Sequence, residues 1–189
     1  MNKFEYFAVI DTDTNWNDEV MSVGMVIADA SDLEIVDKIY CIITPECNAG
    51  GFFSSALNPG NVYVNLKSSR SAVTEYLLKE LKSHNITALF AYNASFDSGH
   101  LSELNGFTWY DIMKIAAYKQ YNRSIPEDAD CFKTGRLKCN YDVETIMRML
   151  TGKKSYHETH NAVCDAVDEL KIMKLLGHPI DTYEVARIN

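Results

Sequence analysis

The chain has 189 residues, 47% of them hydrophobic, with 18 Lys/Arg against 26 Asp/Glu and a formal net charge of −8. That is enough chain for one full core, and too apolar for a disordered segment. A net negative surface argues against indiscriminate binding to long nucleic acid.

Further classes fall away on inspection. Met1 to Tyr6 has no basic region leading into an apolar run, and no stretch approaches a membrane span, so neither a signal peptide nor a membrane partner is expected. The five cysteines (Cys41, Cys47, Cys131, Cys139, Cys164) are odd in number and lack CxxC spacing. They read as reduced thiols of a cytoplasmic protein, with a zinc site on Cys131 and Cys139 as the alternative. Charge is uneven. Lys114 to Lys154 carries nine Lys/Arg and five Asp/Glu, a net of +4, and the remainder nets −12. The basic segment is a candidate phosphate-facing surface; a solvated mixed-charge face is the other reading.

In chain order, Phe4 to Ile10 predicts a first strand. Val20 to Ala28 and Leu33 to Thr44 are β-branched and partly alternating, which predicts two more and an antiparallel meander. Pro45 to Asn65 is a long loop rich in Gly, Asn and Ser, and Phe52 and Phe53 are expected to tuck onto the core. Ser71 to Ser83 predicts a helix with Val73, Leu77, Leu78 and Leu81 on one side. A short strand over Ala88 to Tyr92, a helix over Phe96 to Leu104, a strand at Thr108 to Tyr110 and a helix over Ile112 to Tyr118 follow. Tyr121 to Asn140 reads as an irregular surface excursion. Val143 to Leu150 and Ala162 to Leu176 predict the last two helices, the second with Ala166, Leu170 and Met173 inward. The alternation of elements predicts an α/β layout with a mixed sheet.

Three constellations carry chemistry. Asp11 and Asp13 end the first strand two residues apart, so both project to one face. Carboxylates that close repel unless a cation sits between them, and a hard divalent metal suits oxygen ligands; a polar turn is the plainer alternative. Asp97 falls on the first turn of a helix after Asn93, where the helix dipole favours a carboxylate. His160 stands just before a helix that carries Asp165 in its first turns, and an imidazole there suits a general base. His157, Glu158 and His160 look like ligands on paper, but HExH is not the HExxH of zinc proteases.

In this order, and each at the end of a strand or helix, the three motifs resemble the DEDDh exonucleases, the proofreading-subunit-like family within the ribonuclease H-like fold. The resemblance spans roughly Phe4 to Leu176. Its most specific part is Val143-Glu144-Thr145-Ile146-Met147-Arg148-Met149-Leu150-Thr151-Gly152, followed by His157 to Ala166. It implies one exonuclease-like domain over residues 1–189, with a core of about 4–176 and a central mixed five-stranded sheet flanked by helices. It also implies two Mg2+ or Mn2+ ions held by Asp11, Asp13, Asp97 and Asp165, with His160 as base. The implied reaction is 3′–5′ hydrolysis of single-stranded DNA or RNA, or of a short oligonucleotide, to nucleoside 5′-monophosphates. Asp13 departs from the pattern, which has glutamate there; aspartate is one methylene, about 1.5 Å, shorter. Candidate substrate contacts are Thr12, Thr14, Trp16, Asn93, Phe96 and Lys153, although Trp16 is expected mainly to pack. Two other readings stay open: a catalytically weak nucleic-acid-binding module, and a hydrolase of very short oligonucleotides. The sequence leaves a homodimer or a polymerase partner undetermined.

Overall fold

Alternating burial along the first strand decides where the rest of the chain goes. The computed structural model describes residues 4–189, and the expectation for Met1 to Lys3 lies outside them. In β1 (Tyr6–Thr14), Phe7 and Val9 enter one core while Ala8 and Ile10 enter another on the opposite face. That is the two-residue period of a strand. β1 runs past the expected end at Ile10, so the acidic pair lies within the paired strand.

β2 (Val20–Asp29) and β3 (Ile35–Ile43) complete the expected antiparallel meander. The sheet is mixed, but it has six strands where the sequence predicts five. The additional strand, β4 (Leu66–Ser68), pairs parallel to β3 at one edge. Three residues are too few to show a period. β5 (Ala88–Ala91) and β6 (Thr108–Asp111) extend the other side in parallel, giving the order β4-β3-β2-β1-β5-β6.

Helices cover both faces. α1 (Arg70–Ser83) starts at Ser69, whose hydroxyl accepts from the Ala72 N–H, and buries Val73, Leu77 and Leu81. α2 (Ser95–His100) and α3 (Met113–Ala116) are shorter than predicted. Arg70 takes the His100 carbonyl that the next turn of α2 would use. Tyr118 pairs with Arg136 of the excursion instead of extending α3. α4 (Val143–Thr151) and α5 (Ala162–Leu176) pack together on the face opposite α1. The C-terminal residues close over β6, with the Ile188 N–H bonded to the Trp109 carbonyl at 3.0 Å.

One glycine sets the seat of α5. A Cβ on Gly24 of β2 would lie 2.1–2.2 Å from backbone atoms of Ala162 and Val163. The first turn of α5 therefore rests directly on the sheet. Gly24 pairs with Asp11 in the ladder, so this contact brings the start of α5 over the acidic end of β1.

Candidate active site

Asp11 and Asp13 continue the face of β1 that begins with Phe7 and Val9, and that face meets α5. Asp13 is buried and doubly held: its Oδ2 accepts from the Ser22 hydroxyl at 2.7 Å and from the Ala162 N–H at 3.1 Å. Asp165 comes down from the first turn of α5. Asp11, Asp13 and Asp165 each offer an oxygen, all within 4.8 Å of one another. Asp165 is 5% exposed, and its Oδ1 is buried with no hydrogen-bond partner. An orphaned carboxylate oxygen beside two further carboxylates is a demand for a cation. An all-oxygen donor set fits a hard divalent ion such as Mg2+ or Mn2+.

Asp97 reaches the same end of β1 from α2. The left-handed backbone of Asn93 (φ 62°), whose N–H donates to Asp111 at 3.0 Å, makes the turn that brings it in. The Thr12 hydroxyl, on the opposite face of β1 from Asp11, donates to Asp97 Oδ1 at 2.8 Å. A fifth carboxylate, Glu169, is 2% exposed and accepts the Tyr92 N–H at 3.0 Å. Glu169 is not among the candidates that the sequence offers. Its signal was an acid one turn beyond Asp165, on the same inward stripe as Ala166, Leu170 and Met173.

The electrostatics follow from this crowding. Burial, then the charges of Glu169, Asp97, Asp13 and Asp165, pushes Asp11 well above the usual carboxylate range. Burial, then Asp97, does the same to Glu169. Burial moves Asp97 up to about 7 despite the Thr12 bond. Burial, then Glu158 and Asp13, moves Asp165 up to about 8. Asp13 is raised least clearly, because the Ser22 and Ala162 donors offset its burial.

His160 is packed on one face. Its backbone is left-handed (φ 54°), and its ring stacks on Phe53 with centroids 4.1 Å apart and planes 16° apart. The next residue, Asn161, ties this segment to the long loop through a 2.8 Å bond to the Ala56 carbonyl. One ring nitrogen lies within 4.8 Å of a carboxylate oxygen of Asp165 and of one from Glu158.

Of the remaining candidates, Thr12 commits its hydroxyl to Asp97, and Asn93 makes the turn. Thr14 lies at the end of β1, Phe96 is 40% exposed beside His100, and Lys153 is exposed just after α4. The packing expected of Trp16 and Phe52 is not observed. They are 66% and 78% exposed and meet edge to face at 5.6 Å. A Cβ on Gly51 would lie 2.6–2.7 Å from Thr14 and Met21, so the loop backbone itself, and not these rings, lies against the end of β1 there. Only Phe53 turns inward, onto His160. Among the described residues, no group able to hold a metal contains a cysteine, so the Cys131–Cys139 alternative finds no support. No helix among them is long and apolar enough to cross a membrane.

No family model matches the chain, and no curated protein matches it in sequence. Solved structures match it in shape. The nuclease domain of 3'hExo, a DEDDh family member bound to rAMP, has a TM-score of 0.66 at 16% identity, over 100% of this chain and 98% of that one. Exonuclease X in complex with 5′ overhanging duplex DNA gives 0.55 at 17% identity, over 95% of this chain and 99% of that one. E. coli exonuclease I in complex with a dA16 oligonucleotide gives 0.56 at 13% identity, over 95% of this chain but 42% of that one. At these identities the likeness is one of fold: the chain has the α/β, ribonuclease H-like fold of the DEDDh 3′–5′ exonucleases.

Proposed function

We propose that this chain is a divalent-cation-dependent 3′–5′ exonuclease that releases nucleoside 5′-monophosphates from single-stranded DNA or RNA. The observation that carries the reading is the convergence of Asp11, Asp13 and Asp165 within 4.8 Å, with one Asp165 oxygen buried and unpartnered. The neighbouring structures hold rAMP, a dA16 oligonucleotide and overhanging duplex DNA, which supports a nucleic-acid ligand.

Asp11, Asp13, Asp97 and Asp165 would hold the cations. Two divalent ions in such a cage offset phosphate charge and make a water more acidic. The chain's own residues do the rest. Ser22 and the Ala162 N–H fix Asp13, Thr12 fixes Asp97, and Phe53 fixes the plane of His160. His160 accepts a proton from water as the water oxygen attacks phosphorus. The bond from phosphorus to the 3′ oxygen of the preceding nucleotide breaks. That oxygen keeps the electron pair and takes a proton from solvent, and the terminal nucleotide leaves with its 5′ phosphate. Exposed Trp16 and Phe52 offer ring faces for bases. A groove of about 700 Å³ runs on from Tyr92 and Asn93 past Arg136, Lys138, Tyr141 and Asp142, a mixed-charge lining with two cations and two aromatic rings able to meet the rest of the strand.

A 5′-labelled oligonucleotide, as DNA and as RNA, tests this in Mg2+ and in Mn2+. Single-nucleotide shortening is the expected result. His160→Ala should lower kcat by about a hundredfold or more, the scale of a lost general base, and Asp11→Asn should abolish shortening. Retained binding without product would favour the binding module, and cleavage of dinucleotides alone would favour the short-oligonucleotide hydrolase. Wild-type rates in either variant would refute the assignment of residues.

A further inference from the structure

A second group of donors stands next to the aspartate cluster, and the phosphodiester chemistry does not use it fully. Glu158, His160 and Asp165 each offer one ligand atom, and the three atoms lie within 4.8 Å of one another. Asp165 is the member shared with Asp11 and Asp13, and its Oδ1 is the buried oxygen that lacks a partner. The HExH run resolves into two opposed roles here. His157 turns away and is largely exposed, with Glu144 at 3.4 Å and Arg148 at 3.2 Å. Glu158 and His160 turn inward.

The segment that carries them is anchored along its length. Arg148 of α4 donates to the Tyr156 carbonyl at 2.9 Å, and the Tyr156 hydroxyl donates to Asp168 of α5 at 2.6 Å. The Glu158 N–H donates to Glu144 at 3.1 Å, and Phe53 stacks on the His160 ring. The donor atoms are therefore placed before any ion arrives. Their chemistry differs from that of the aspartate trio. Magnesium takes oxygen ligands and keeps several waters, whereas an imidazole with two carboxylates suits zinc and its neighbours in the first transition row.

We propose that Glu158, His160 and Asp165 form a separate site for a zinc-class divalent cation, distinct from the Mg2+- or Mn2+-binding trio and sharing Asp165 with it. An ion there occupies an imidazole nitrogen of His160 and one Asp165 oxygen. On the reading given under Proposed function, it removes the base and a cation ligand together, so zinc acts as an inhibitor that competes with hydrolysis.

The test is a zinc titration of the cation-stripped full chain, followed through the imidazole nitrogen resonances, with His160→Gln assigning the His160 signals. Zinc should move the His160 ring nitrogens at one equivalent, and magnesium should leave them in place. Glu158→Gln should weaken zinc at least about tenfold, the scale seen when support of a metal site is lost. His157→Gln should leave zinc affinity unchanged, and Asp11→Asn should retain the His160 shift. The same spectra report whether each variant is folded, and Glu158→Asp gives a second, milder perturbation of that ligand. A His160 ring unmoved by zinc, full affinity in folded Glu158→Gln, or loss of the shift in Asp11→Asn would each overturn the proposal. Zinc binding is read without turnover, so an inactive protein that binds zinc at His160 would refute the exonuclease reading alone.

Discussion

α1 and α5 are nearly equal in length, at 14 and 15 residues, and each covers one face of the same sheet. They are held by different physics. α1 buries Val73, Leu77 and Leu81 and no charge. Each such side chain contributes roughly 1.5–3 kcal/mol on leaving water, at any pH and without a ligand. α5 buries Ala166, Leu170, Ile172 and Met173 in the same way, but it also buries Asp165 and Glu169. Its first two turns bring negative charge onto a strand that already carries two aspartates. The α1 face is stable unconditionally. The α5 face is stable on condition that protons or cations come with it.

The strongest way to break that contrast is to unseat α5 and leave α1 alone. Gly24→Ala places a Cβ 2.1–2.2 Å from the backbone of Ala162 and Val163, where no side-chain rotation relieves the clash. The expected cost is about 3 kcal/mol or more, the upper end for overpacking. Cation affinity should fall with it, because Asp165 moves off Asp11. Leu77→Ala on α1 should cost a similar 2–5 kcal/mol by cavity formation and leave cation affinity unchanged. Equilibrium unfolding together with Mn2+ titration separates the two. A Gly24→Ala protein with normal stability and normal Mn2+ affinity would mean that α5 is not seated as described.

The difference between the faces also explains what the sequence revealed. The α1 face was legible from periodicity at Val73, Leu77 and Leu81, but Leu78, expected on the same side, is 37% exposed, because it falls one position past Leu77 and so turns off the buried stripe. Asp11, Asp13, Asp97, His160 and Asp165 were legible as candidates because each sits at a place where local geometry aims a side chain. Such places are the shared face of a strand, the first turn of a helix and the turn just ahead of one. Glu169 was not legible, because its neighbours on the stripe read as plain core, and only the tertiary crossing over β1 makes it part of the cluster. β4 was hidden by its length. The exposure of Trp16 and Phe52 was hidden because it depends on how the long loop lies against the end of β1, which no local pattern records.

The pH dependence sharpens the comparison. Asp97 and Glu158 are raised to about 7 and Asp165 to about 8 in the fold, against about 4 for free carboxyls. Between those values the folded state binds more protons than the unfolded one, so stability falls as pH rises through the window. On these groups the cation-free Tm should be highest at about pH 4, where they hold their protons in both states, and should decline steadily toward about pH 8.5. Saturating Mg2+ or Mn2+ should flatten the decline, since the ions replace the protons. Leu77→Ala should lower the whole curve without changing its slope. A cation-free Tm that rises with pH over this range would contradict the burial of these carboxyls.

A smaller effect isolates the fifth carboxylate. Glu169→Gln keeps an acceptor for the Tyr92 N–H and removes one buried charge near Asp11, Asp97 and Asp165. At about pH 8 the cation-free variant should be more stable than the parent by about 1–2 kcal/mol, because one less acid must hold a proton or be ionised in the interior. Its Mn2+ affinity should drop at the same time. The two changes have opposite signs, so a variant that is merely misfolded cannot imitate them. Denaturant unfolding with and without Mn2+ reads both.

The smallest effect concerns the hydroxyl on the other face of β1 from the two aspartates. Thr12 faces away from Asp11 and Asp13, yet its Oγ1 donates to Asp97 at 2.8 Å and is the principal bond that opposes the effect of burial on that carboxyl. Thr12→Val keeps the shape of the side chain and its β-branching but leaves Asp97 without the donor. The expected loss is about 1 kcal/mol, the usual net worth of one buried hydrogen bond. The Asp97 proton affinity should rise further, because what stabilised its charged form is gone. In a cation-free sample, the Asp97 carboxyl resonance of Thr12→Val should titrate higher than that of the parent, in which burial raises it to about 7. With Mn2+ saturating, most of the stability difference should vanish, since the ion then supplies the partner that the hydroxyl supplied. An unchanged titration of Asp97 in Thr12→Val would place that carboxylate outside the charge network that sets the α5 face apart from the α1 face.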